Sequence, residues 1–313
     1  VPTMLARLAP EHRYAVIEMG ANHAGEIAWL ASITQADVVV ITNAGPAHLE
    51  GFGSLDGVAK AKGEILENPR RPSVAILNAD DKYFQYWSSK VSDIDLISFG
   101  IEADAMVRAS DIEATNAGSR FTLHINDSVT GIDLPLAGRH NVGNACAAAA
   151  VATAMQLSPE VIKLGLESVQ PVSGRLQPVR APSGFIVYND SYNANPQSVT
   201  AAARFLASLG SETWLILGDM GELGADSVAL HAAVGRDAKQ LGVRQLLATG
   251  ELSKHTVQAF GNGALWFESV AALVESLKRS LTPAATVLVK GSRSARMERV
   301  VEALLETDLA GVH

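Results

Sequence analysis

Residues 174–196 read GRLQPVRAPSGFIVYNDSYNANP, and the way this stretch is read decides how the rest of the chain divides. It opens with Gly174-Arg175, passes Pro178, Pro182 and Gly184, and enters an apolar run at 185–188 (FIVY). The run ends in Asn189-Asp190-Ser191-Tyr192-Asn193-Ala194-Asn195-Pro196. The Pro/Gly punctuation reads as a linker and the apolar run as a buried strand. A buried strand that delivers a polar loop and then a helix is where open α/β sheets bind ligands. Asn and Asp also favour turns for local backbone reasons, so on this stretch alone a plain connector serves as well.

Upstream, apolar runs at 14–19 (YAVIEM), 37–42 (DVVVIT), 73–77 (SVAIL) and 95–99 read as buried strands. Helical patterns at 25–34 and 55–66 lie between them, which implies crossover units and a mostly parallel sheet. Short alternating segments with turn residues follow from 107 to 136, as in a small antiparallel meander. Gly138-Arg139-His140-Asn141-Val142-Gly143-Asn144 then leads into an alanine-rich helix, 145–157, and Ser158-Pro159 starts another that runs to about 168. Downstream, strands at 185–188, 213–217, 245–249, 264–267 and 286–290 alternate with helices at 198–209, 227–241, 254–260, 270–281 and 296–306. Five βα units make a doubly wound domain. The fold class is α/β: a mostly parallel sheet with a meander over 1–178, then a Rossmann-like domain over 179–313.

The bulk numbers agree with two packed domains. The chain has 313 residues, of which 48% are hydrophobic and 19% charged. A net charge of −8 argues against a nucleic-acid partner. The single cysteine, Cys146, excludes a disulfide framework and suits a reducing compartment. No apolar run is long enough to span a membrane.

Several residues could carry chemistry. Glu18, Asn22, His23, Asn43 and His48 all follow expected parallel strands and would gather at one sheet edge, as a magnesium or phosphate site requires. The plainer reading is a loop cap for His48 and a lysine partner for Glu18. Lys62 shares a helix with Lys60 but points to another face; a partly buried amine is easily deprotonated, whereas a solvated one is inert. Arg139-His140-Asn141 opens a helix, where free N–H groups can meet a nucleotide or Asn141 can simply cap. Gly218-Asp219-Met220-Gly221-Glu222-Leu223-Gly224 is glycine-rich, but it lacks the dinucleotide fingerprint and its carboxylates would repel a pyrophosphate. Lys290-Gly291-Ser292-Arg293-Ser294, after the last strand, has the composition of an anion loop.

Taken together, GRHNVGNACAA, Gly174-Arg175, YNDSYNANP, GDMGELG and VKGSRS resemble, in order and spacing, the Mur ligases of peptidoglycan synthesis. EMGANHAGEIAWL, HLEGFGSLDGVAKAKGEI and NADD match the same family, and the likeness covers essentially the whole chain. The resemblance implies an ATP-dependent amide ligase that joins D-alanyl-D-alanine to UDP-N-acetylmuramoyl-tripeptide through an acyl phosphate. It implies a bacterial cytoplasmic enzyme, expected to be a monomer, with ATP and magnesium. By the same resemblance Glu18, His48 and Lys62, the lysine as a carbamate, match magnesium ligands. Asn141 and Asn144 match nucleotide contacts, Arg175 a hinge arginine that reaches the phosphates, and Asp190 a ribose contact. Tyr192, Asn193, Lys290 and Ser292 are weaker matches for nucleotide or substrate contacts.

One departure stands out. The family's phosphate loop, G-x-x-G-K-[ST], is not found in these residues, and the N-terminal domain that binds the UDP end has no counterpart. The expectation is therefore an incomplete central ATPase domain followed by a whole C-terminal domain, with weak ATP binding and little turnover from this chain alone. Another ligase of the same type, such as a folylpolyglutamate synthetase, a non-catalytic nucleotide-binding module, and a dinucleotide dehydrogenase are the alternatives.

Overall fold

The structure, a computed structural model, describes residues 1–45, 49–68, 70–115, 118–210 and 212–306. The chain forms two compact units, one of Val1–Leu134 with His140–Ser168, the other of Pro135–Arg139 with Val169–His313.

In the first unit, strands β1 (Val38–Ile41), β2 (Val74–Asn78), β3 (Asp95–Gly100), β4 (Val107–Thr115), β5 (Gly118–Ile125) and β6 (Ser128–Leu134) form one sheet in chain order. β1 through β4 pair in parallel, and β4, β5 and β6 are antiparallel. The expected meander is therefore an extension of the parallel sheet, joined where Phe99 and Gly100 pair with Val107 and Arg108. The helices are α1 (Pro2–Leu5), α2 (Glu26–Thr34), α3 (Leu49–Phe52), α4 (Leu55–Gly63), α5 (Phe84–Ser88), α6 (Arg139–Ala154) and α7 (Pro159–Glu167). Val39, Ile41, Ala75 and Leu77 from the sheet pack with Val58 and Ala59 of α4 and Trp87 of α5. The Trp87 indole is fully buried and donates to the Ala59 carbonyl at 2.9 Å, so its one polar atom is satisfied inside the core. Ser54 caps α4 by accepting from the Gly57 amide.

The strand expected at 14–19 is absent. Tyr14 and Val16 are 63% and 92% exposed, and the run has no ladder partner among the described residues. An apolar run becomes a strand only where a neighbour accepts its backbone bonds and a second layer covers it. Neither condition is met here, so Glu18 lies on an exposed irregular segment.

In the second unit the strands are β7 (Gln177–Arg180), β8 (Ile186–Asp190), β9 (Thr213–Leu217), β10 (Gln245–Thr249), β11 (Ala264–Phe267) and β12 (Thr286–Lys290), ordered β11-β10-β9-β12-β8-β7. All pair in parallel except β7 with β8. Helices α8 (Pro196–Ser208), α9 (Ser227–Gln240) and α10 (Ser253–Phe260) pack into one core cluster, and α11 (Val270–Ser280) and α12 (Glu298–Leu305) into another. The loops after β8 and β9 thus lead to one cluster while the loop after β12, between them, leads to the other. That divergence is a topological switch point, where open sheets leave a crevice. The stretch read as a linker is β7 instead. Pro178 argues against a strand, but β7 is the outermost strand of its sheet, where a missing N–H is tolerated. β7 lies wholly within the second compact unit, whose main part begins at Val169.

α9 and α10 approach closely at Gly235, where an added Cβ would lie 2.2 Å from the Thr256 carbonyl oxygen. Backbone cannot yield to that overlap. Gly235→Ala should therefore destabilise the protein by roughly 1–3 kcal/mol, read as a lower urea midpoint with an unchanged slope.

Candidate functional site

At the carboxyl ends of β1 and β2, polar groups from three connections meet. Asn78 Nδ2 donates to the Thr42 carbonyl at 2.8 Å, joining the two strand ends. Asp81 accepts from the Ala44 amide at 2.7 Å through Oδ2 and from the Tyr83 amide at 2.8 Å through Oδ1. Lys62 reaches in from α4, and its Nζ donates to the Asn43 carbonyl at 2.7 Å. Lys60, two positions earlier, is exposed while Lys62 is half-buried, which is the difference in face expected from the helix. Burial pulls the Lys62 amine below the usual lysine range, and the Asp81 charge opposes that pull. The result is an amine more readily deprotonated than a solvated lysine, seated at the sheet edge where ligands bind. Asp81 was not singled out from the sequence as a site residue; the signal was Asn78-Ala79-Asp80-Asp81 directly after an apolar strand.

The other expected ligands are placed differently. Asn22 and His23 are tied to Glu26 at the start of α2: Glu26 Oε2 accepts from the Asn22 amide at 2.8 Å, and the His23 ring lies 3.2 Å from Oε1. Those bonds lower the Glu26 pKa. Glu18 does not join them, because its segment is not a strand. His48 lies outside the described residues. Among the described residues no group of three or more His, Cys, Asp or Glu side chains converges as a cation site.

Asn141 and Asn144 are in α6, which begins at Arg139 and not at 145. Asn141 is thus inside the first helical turn and does not cap it. Three residues apart, the pair shares a face, and Asn144 Nδ2 donates to Asn141 Oδ1 at 3.3 Å. Cys146 follows on the same helix, fully buried, with its thiol pushed up to about 12 by desolvation, as an inert packing residue.

In the second unit the expected residues come together at the switch point. Asp190, the last residue of β8, accepts from Lys290 Nζ at 2.7 Å and from the Leu176 amide at 3.1 Å. Lys290, the last residue of β12, also donates to the Asn193 carbonyl at 2.9 Å. The two side chains are only 15% and 4% exposed. Tyr192 donates its amide to Gly174 at 3.0 Å, and the Arg175 guanidinium sits 4.5 Å from the centre of its ring. Gly174 has φ +77°, a left-handed conformation that sets the chain back against Tyr192. Asn189 accepts from Ser191, Asn193 from the Ala194 amide, and Asn195 caps α8 in a reciprocal box with Ser198. Most asparagines of this loop therefore build the loop, as the connector reading has it, while Asp190 and Tyr192 fasten it to residues 174–176.

The 290–294 loop is likewise built from its own donors. Ser292 directs both its amide (3.0 Å) and its hydroxyl (2.7 Å) to the Asp219 carbonyl, and Arg293 pairs with Glu298 at 3.1 Å. A composition suited to an anion is here spent largely on cross-links.

Residues 1–152 match the model of the Mur ligase middle domain, and 174–293 that of the Mur ligase glutamate ligase domain. The chain is 44% identical over 309 residues to the UDP-N-acetylmuramoyl-tripeptide–D-alanyl-D-alanine ligase of Escherichia coli K12, covering 98% of this chain and 68% of that protein. It superposes on the crystal structure of MurF from Acinetobacter baumannii with a TM-score of 0.91 at 36% identity, covering 98% of this chain and 68% of that one. MurF from Thermotoga maritima, solved in complex with ADP, shares the fold, with a TM-score of 0.81 at 21% identity over 91% of this chain and 65% of that one.

Two outcomes follow from the geometry. Lys290→Met strands the Asp190 carboxylate in a buried site and should cost about 3–5 kcal/mol in urea unfolding. Competitive acetic anhydride labelling across pH should find Lys62 titrating below the exposed lysines; titration together with them would contradict its burial.

Proposed function

The chain belongs to the Mur ligase family, and from that premise we propose that it forms part of the ATP-dependent ligase that joins D-alanyl-D-alanine to UDP-N-acetylmuramoyl-tripeptide. The likeness that runs unbroken through both units carries this reading. The desolvated Lys62 amine at the β1–β2 edge supports it independently.

The reaction has two steps. The γ-phosphoryl group of ATP passes to the terminal carboxylate of the tripeptide, releasing ADP. The amine of D-alanyl-D-alanine then attacks the acyl carbonyl, loses a proton and expels inorganic phosphate. Such chemistry needs positioning and charge neutralisation more than covalent catalysis.

In this reading the neutral Lys62 amine would take up carbon dioxide and release a proton, and the resulting carbamate would hold magnesium together with His48 and Glu18, the latter only once its segment, irregular and exposed here, is brought to the β1–β2 edge. The carboxylate and carbamate oxygens of that set suit the hard cation, with the His48 imidazole as its one nitrogen donor, and the ion when bound would neutralise charge on the phosphates. Asn141 and Asn144 contact the nucleotide, Asp190 its ribose, and Arg175 its phosphates; Tyr192, Asn193, Lys290 and Ser292 contact nucleotide or peptide. The guanidinium of Arg175 is fit for phosphate because it presents several donors in a fixed plane. The enzyme works as a monomer in the bacterial cytoplasm.

A coupled phosphate-release assay tests this on the protein that carries this chain, with ATP, magnesium and both peptide substrates. Phosphate release should require both peptides, and Lys62→Ala should lower it by at least about a hundredfold. Release that needs neither peptide, or none at all with ATP bound, would overturn the assignment.

A further inference from the structure

His231 has no place in the reaction as described, yet it is 1% exposed and both ring nitrogens are engaged. It lies in α9, and its ring meets the 218–223 loop that follows β9. The Met220 amide donates to Nε2 at 3.0 Å. An N–H can point at Nε2 only if that nitrogen carries no proton, so the proton is on Nδ1 and donates to the Ser227 carbonyl at 2.7 Å. Desolvation lowers the His231 pKa and so keeps the ring neutral; the Ser227 bond and the field of Asp219 oppose this, while His255 on α10 adds to it.

The loop it holds joins three connections. The Asp219 carboxylate accepts from the Ser253 amide and hydroxyl at 2.8 and 2.7 Å, and from the Leu252 amide at 3.3 Å, at the start of α10. The Asp219 carbonyl receives both donors of Ser292, in the loop after β12. The Met220 amide goes to His231 in α9. Ser292 is two residues from Lys290, whose amine holds Asp190. His231 is thus linked by consecutive bonds to the switch-point corner.

We propose that His231, as the neutral Nδ1–H tautomer, is a positioning residue for the ligation: it sets the 218–223 loop and, through Asp219 and Ser292, the Lys290–Asp190 corner. The proposal rests on the function read above, because only there does the corner face substrates.

Two variants separate positioning from packing. His231→Gln places an amide oxygen near the former Nε2 and still accepts from Met220. His231→Leu fills similar space with no acceptor and leaves the Met220 amide unsatisfied. In the protein that carries this chain, His231→Leu should raise hydrogen exchange at Met220 roughly tenfold or more, leave α9 and α10 protected, and lower kcat/KM by about tenfold. His231→Gln should restore both to within about threefold. Nitrogen shifts of labelled histidine should report the Nδ1–H tautomer at neutral pH. The proposal fails if the ring carries its proton on Nε2, if the loop loosens with turnover unchanged, or if Gln is as poor as Leu. Absence of ligation by the wild-type protein would remove the functional reading and with it the positioning role. The tautomer and exchange measurements would in that case still decide whether His231 latches the loop.

Discussion

The buried pair of Asp190 and Lys290 organises the second unit. Taking two charges out of water is costly, and their attraction offsets that cost only when the remaining hydrogen-bonding capacity is filled. Here much of it is used: Lys290 also binds the Asn193 carbonyl, and Asp190 also accepts the Leu176 amide. The ends of β8 and β12, the loop after β8 and the chain entering β7 are therefore fastened at one point. Loss of either charge would strand the other and release all of them.

The same logic extends along the sheet edge. Where a parallel strand ends, backbone groups leave the ladder and must find partners. The loops after β9 and β12 find them in each other and in the neighbouring helices, through Asp219, Ser292 and His231. Polar residues that read as a ligand loop in sequence are in good part its scaffold. Scaffold and contact roles are compatible, since a precisely held loop is what a positioning catalyst requires.

The first unit treats its key lysine differently. Lys62 has a carbonyl partner in Asn43 and a nearby charge in Asp81, yet burial still pulls its amine below the usual lysine range. Lys290, deeper and directly paired, is committed to an ion pair. Two lysines at the carboxyl edges of two sheets thus sit differently, one half-buried on a backbone carbonyl and the other deeply buried in an ion pair.

The alternation of apolar runs and helical patterns in the amino-acid sequence was enough to place the five parallel strands of the second unit within a residue or two, because periodicity and burial are local properties. It also located the loops that gather Asp190, Tyr192, Lys290 and Ser292, since a strand followed by polar residues has one place to deliver them. Tertiary structure alone decided that 14–19 is no strand, that Pro178 belongs to an edge strand, and that Asn141 stands inside its helix. It alone joined Lys290 to Asp190 across 100 positions, Lys62 to Asn43 across 19, and Asp219 to Ser253 across 34. Composition marks which residues can pair, but a partner is selected by the folded backbone that brings two distant groups within hydrogen-bonding reach and excludes the water that would otherwise satisfy them.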